Sequence, residues 1–240
     1  MTNQITDISP RNAARIAGYG YLIIIILAVF AEFFVRSSLV VPGDATATIN
    51  NIMANEMQFR LGVCSYLIAA IFDVVVAVAL YVLLKPVNKS LALLTAWFRL
   101  VHATIFAAAL NNLFNVLYLL NNADHLITLN SDQLHAQVML FLNAFSYKWL
   151  IGLVFFGLHC FFLGFLILKS TYIPRFVGVL LIVASFGYLI DSFAHFLMSN
   201  YADFEAVFLL IVAVPAIIAE LALCLWLILK GAHLQQSQTT

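Results

Sequence analysis

Six apolar runs, at residues 16–34, 61–84, 91–120, 147–168, 174–198 and 207–229, constrain this chain more than any other feature. At about 1.5 Å of rise per residue, a helix through each is long enough to cross most or all of the ~30 Å hydrocarbon core of a bilayer. The whole chain is 64% hydrophobic and 9% charged, with a mean hydropathy of +1.03. Soluble domains carry about 25% charged residues, and none of this length covers so much apolar side chain. The expected fold is therefore all-α: a polytopic membrane protein with a six-transmembrane-helix bundle. Residues 1–15 form an N-terminal segment, 16–230 the membrane domain and 231–240 a polar tail.

The connections set the orientation. Arg11, Arg15, Lys85, Lys89, Lys169, Arg175 and Lys230 fall on one side of the six spans, whereas Arg36, Arg60 and Lys148 border the other. The positive-inside rule then puts both termini in the cytoplasm and the protein in a cell's inner membrane. A cleaved leader ending near Ala31 would leave five spans and spoil that asymmetry. After the first span, Pro42-Gly43 predicts a turn and Asp44 an N-cap, with Ile49, Ile52, Met53 and Met57 at helical spacing behind it. That pattern predicts a short external amphipathic helix. The third run would be about 45 Å long and should project from the membrane, its outer asparagines solvated. Residues 122–143, with Asp124, His125, Asp132 and His135, read as an outer helical hairpin tip capped at Asn130 or Ser131.

Polar groups inside the runs are the candidate site. Thr95, Arg99 and His102 stand at i, i+4 and i+7, on one helix face. Counted by helical rise, Asp73, Arg99, His159 and Glu220 all lie roughly 18–20 Å below the outer surface, and His102 about a turn higher. A charge at the centre of a spanning helix costs about 2.5–3.5 kcal/mol on insertion scales, so four at one level should face each other inside the bundle. Asp73 and Arg99 are the expected ion pair. Glu32, Arg36, Arg60, Asp191 and His195 form a shallower group, of which Glu32 and Arg36 read most simply as an interfacial i, i+4 pair. Pro215 should kink the last span and free a backbone carbonyl one turn before Glu220.

The ten ionisable residues among these suit a polar pocket for a small amphiphile or a lipid headgroup, with the bilayer itself as the chain's main partner. A network that only sets helix register explains each histidine taken alone. Eleven basic against eleven acidic residues give no reason to expect nucleic acid. Cys64, Cys160 and Cys224 lie in apolar runs without CxxC spacing, which predicts packing rather than disulfides or zinc. The alternatives are a metal-dependent intramembrane hydrolase, a haem protein using His102 and His159, and a proton-coupled carrier. No HExxH, GxSxG or CxxCH motif supports the first two, and no paired broken helices support the last. No cofactor or metal is favoured, whether the chain is an enzyme stays open, and the sequence sets no oligomeric state.

Several fragments together resemble a known family: Ala14-Arg15-Ile16-Ala17-Gly18, Ala31-Glu32-Phe33-Phe34-Val35-Arg36, Val41-Pro42-Gly43-Asp44, Phe59-Arg60-Leu61-Gly62, Phe98-Arg99-Leu100, Gly157-Leu158-His159 and Gly187-Tyr188-Leu189-Ile190-Asp191. The chain resembles the bacterial family called domain of unknown function 4386, from about Ala14 to Lys230. The resemblance implies a helical integral membrane protein of prokaryotic type and carries over no catalytic residue.

Overall fold

A computed structural model describes residues 8–122 and 130–231 of the chain, and among these there is no strand. The helices are α1 (Pro10–Leu39), α2 (Ala45–Ala54), α3 (Glu56–Leu84), α4 (Lys89–Asn121), α5 (Ser131–Lys169), α6 (Arg175–Leu197) and α7 (Glu205–Leu229), the last entered through a 3-10 turn at Tyr201–Phe204. All but α2 are long and apolar enough to span a membrane, so this is an all-α, six-span, multi-pass membrane protein.

Polar side chains start the helices where the sequence supplies them. Asp44 accepts the Ala47 amide at 2.8 Å and Asn88 accepts that of Leu91 at 2.9 Å. Asn130 accepts from the Gln133 amide at 2.8 Å while the Gln133 side chain takes the Asn130 amide at 3.1 Å, a reciprocal capping box. Gly43, at φ 78°, makes the turn between α1 and α2 that a residue with a Cβ would resist. Between α5 and α6, the Tyr172 hydroxyl donates to the Leu83 carbonyl at 2.6 Å, and burial pushes its pKa up to about 12.

Two elements differ from the sequence reading. The first span begins at Pro10 and runs to Leu39, with a π-helical stretch at Phe30–Arg36 whose Phe34 carbonyl accepts the Ser38 hydroxyl at 2.9 Å. The expected outer hairpin tip and fourth span are one helix, α5, of 39 residues. No proline or glycine interrupts it before Gly152, and Ser146 turns its hydroxyl back to Leu142 within the helix, so nothing separates the two segments. Asp124 and His125 lie outside the described residues.

The backbone forms two compact units. One is built on Phe72–His102 with the residues up to Leu22 and from Leu153 onward, and all six spans contribute to it. Small residues set its helix contacts. A Cβ at Gly164 would stand 2.6 Å from the Gly178 carbonyl, and one at Gly178 would stand 2.7 Å from the Gly164 carbonyl, so α5 and α6 touch backbone to backbone. Pro215 cannot donate to Ile211, and Gly187 of α6 lies so near that carbonyl that a Cβ would sit 2.7 Å away.

The other unit comprises Ile23–Ile71 and Ala103–Gly152. Its core holds an aromatic group in which Tyr66 meets Phe106, Phe145 and Trp149 at ring-centre distances of 5.5–6.1 Å. The helix α2 buries Ile49 and Ile52 but leaves Met53 exposed, because the buried position beside them is filled by Thr48, whose hydroxyl bonds the Val41 and Asp44 carbonyls. Asn112, read from sequence as solvated, is buried: its amide donates to the Ala109 carbonyl and its oxygen receives Lys148 at 3.4 Å.

Candidate functional site

In the first unit, α4 carries Thr95, Arg99 and His102 inward, all three buried, while Trp97 faces out. Arg99 is 1% exposed and Asp73 4%. The Arg99 Nη2 meets Asp73 Oδ1 at 2.6 Å, a charge-assisted pair between α4 and α3. The Arg99 Nη1 donates to the Tyr21 hydroxyl of α1 at 2.7 Å and faces His159 Nε2 of α5 at 3.2 Å. Two aromatic faces flank the guanidinium, Tyr21 at 4.5 Å and Phe156 at 5.4 Å from its carbon. Among the described residues, Arg99 Nε, though buried, has no hydrogen-bond partner.

His159 is read from its neighbours. A guanidinium only donates, so Nε2 accepts and Nδ1–H donates to the Thr95 carbonyl at 2.9 Å. Both ring nitrogens are thus engaged, Nε2 by the Arg99 guanidinium and Nδ1 by the Thr95 carbonyl. His102 Nε2 stands 3.9 Å from Asp73 Oδ2, within ion-pair reach but beyond a hydrogen bond, and its ring lies 4.9 Å from Phe156. Phe156 also meets Tyr188 of α6 edge-on at 5.2 Å, and the Tyr188 hydroxyl donates to Glu220 of α7 at 2.7 Å. All six spans thus contribute to one cluster, in which Phe156 stands between the Arg99 group of Tyr21, Asp73 and His159 and the pair of Tyr188 and Glu220. Beside Thr95 and His159 lies a cleft toward Leu80 and Leu166 with no room for a water molecule. Among the described residues, no three His, Cys, Asp or Glu side chains are grouped so as to hold a metal.

The shallower group does not share one set of contacts. Arg36 grips Glu32 with Nε at 2.8 Å and Nη2 at 2.6 Å, and Tyr66 of α3 donates to the same carboxylate at 2.7 Å. Arg60 pairs with Glu56 at 2.6 Å, and Asn121 donates to that carboxylate at 3.0 Å. Asp191 receives the Tyr201 hydroxyl at 2.7 Å, and the His195 ring meets Tyr201 edge-on at 4.4 Å. The reason is local: Glu32 and Glu56 stand one turn before their arginines, within reach without help from another helix.

Sequence reasoning misses the phenols Tyr21 and Tyr66, and it finds Tyr188 only as one of a face shared with Asp191, Ser192 and His195. Tyr21, Tyr66 and Tyr188 each hold a charged or acidic partner. A phenol within an apolar run is also a buried donor that needs an acceptor, and that signal was available at all three positions.

The family described as "Domain of unknown function (DUF4386)" matches residues 16–231. An uncharacterized protein of the archaeon Archaeoglobus fulgidus is 35% identical over 170 residues, covering 71% of this chain and 83% of that protein. No solved structure matches the chain.

Proposed function

We propose, for a chain that belongs to the DUF4386 family of unknown function, that the Arg99 network is the binding site of a small anionic amphiphile, through a phosphate or carboxylate headgroup. One observation carries this reading: a guanidinium sealed from water keeps a donor, Nε, without a partner among the described residues. Buried donors are ordinarily satisfied, and an intramembrane arginine marks a ligand site more often than a packing device. An incoming anionic head would compete with Asp73 for Arg99, with the released carboxylate turning toward His102. The asymmetry of basic residues supports placing both termini in the cytoplasm and the protein in the inner membrane.

The test uses wild type, Arg99→Gln and Asp73→Asn, each purified in a neutral detergent and analysed by native mass spectrometry with added oleate or lysophosphatidate. Wild type retains one or the other. Arg99→Gln binds about tenfold or more weakly, the equivalent of losing a charge-assisted hydrogen bond of about 1.5–3 kcal/mol. Asp73→Asn, with its competitor for the guanidinium gone, binds at least as tightly as wild type. Equal binding by wild type and Arg99→Gln overturns the proposal and leaves the network as a device that sets helix register.

A further inference from the structure

Glu220 is the second carboxyl near Arg99, and the charges around it do not balance if it is ionised. Counting by helical rise, it stands roughly 14 Å from the Leu229 end of α7 and 22 Å from the Glu205 end, well inside a bilayer. One oxygen takes the Tyr188 hydroxyl at 2.7 Å. The groups within electrostatic reach of it are Tyr188 from α6, Arg99 from α4, Asp73 from α3, Tyr21 from α1 and Cys160 from α5. Arg99 is the cation among these, and its charge is already met by Asp73 at 2.6 Å. His102 on α4 stands 3.9 Å from Asp73 Oδ2. An ionised Glu220 would therefore add an unmatched negative charge to the membrane interior, which is far costlier than the neutral acid.

The packing of α7 leaves a route to this carboxyl. Its buried residues, Ala216, Ala219, Leu223, Cys224 and Leu227, all follow Pro215, and none of the ten residues from Glu205 to Val214 is buried. By angle around the helix Glu220 belongs to the buried stripe, one turn after Ala216, yet it is only half-buried. We infer that Glu220 is a proton-binding carboxyl of the membrane interior, carried in its acid form and reached from the acyl-chain region through the part of its own side chain that packing leaves uncovered.

Dicyclohexylcarbodiimide, which partitions into lipid, tests this on the full chain in liposomes. The acid proton passes to one carbodiimide nitrogen as the carboxylate oxygen bonds the central carbon, and the O-acylisourea rearranges to an N-acylurea that keeps the whole reagent mass. Peptide mass mapping is expected to find the adduct on Glu220, to find less of it as pH rises, and to lose it in Glu220→Gln. A permanently charged, water-soluble carbodiimide should label Glu220 several-fold less. Wild-type protein that stays folded and shows no adduct at Glu220 overturns the inference, as does an adduct on Asp73 instead or equal labelling by the charged reagent. The wild-type result stands even if Glu220→Gln fails to fold, and Glu220→Asp then serves as the variant that should still label.

Discussion

Arg99 meets Asp73 and Arg36 meets Glu32 at the same 2.6 Å, each pair with a phenol beside it, but their surroundings differ sharply. The Arg36 and Glu32 side chains are 36% and 34% exposed, sit one turn apart on α1 and would find each other in an isolated helix. Arg99 and Asp73 come from different helices, are sealed from solvent and meet only if α3 and α4 are correctly rotated. Distance does not measure what an ion pair does. The local pair adds little and depends on nothing beyond its own helix. In the buried pair each partner's desolvation is offset only by the other, so it adds modest net stability while making any misplacement of either helix expensive.

The largest expected effect follows directly. Arg99→Leu and Asp73→Leu should each destabilise by about 3–5 kcal/mol, because each strands a buried charge, whereas the double variant should lose less than either alone. Thermal denaturation in one detergent checks this, and additive losses would dissolve the distinction between the two pairs. Next come the phenols that accompany each pair. Tyr21→Phe removes a hydrogen bond to a charged group at a sealed site and should cost about 1.5–3 kcal/mol, and Tyr66→Phe, at the half-exposed carboxylate, should cost less. Equal losses in the same melting assay would mean that burial does not separate the regions. The smallest effect is at the local pair: Glu32→Gln or Arg36→Gln should cost about 0.3–1 kcal/mol at low salt, and most of that cost should vanish in 1 M salt, where screening reaches about 3 Å. Salt should leave the Arg99→Leu loss nearly unchanged.

How far the sequence could be read depends on what each feature answers to. The need of Asp73 and Arg99 for a partner is visible in the residue types, and their common depth follows from counting along helices of known rise. His159 could be placed near them in the same way, but not its tautomer, which depends on a guanidinium on one side and the Thr95 carbonyl on the other. The shallower residues show the limit of depth alone: Arg60 and Asp191 share a level in the count, yet one turns to Glu56 and the other to Tyr201. Depth gives one coordinate of a side chain, and partner choice also needs the rotation of its helix.

By itself the sequence determined that this is an all-α protein of six membrane spans, because the length and polarity of an apolar run are local properties that no neighbour alters. It also determined that α2 would start at Asp44 and that Arg99 could not stand alone. Only the tertiary structure decided which phenols join the buried charges and which face of each helix turns inward. Those choices rest on backbone contacts such as Gly164 against Gly178 and Gly187 against the Ile211 carbonyl, where the absence of a side chain lets two helices approach. Such an approach fixes rotation for every residue above and below it, and so it is a property of pairs of helices that no single stretch of chain displays.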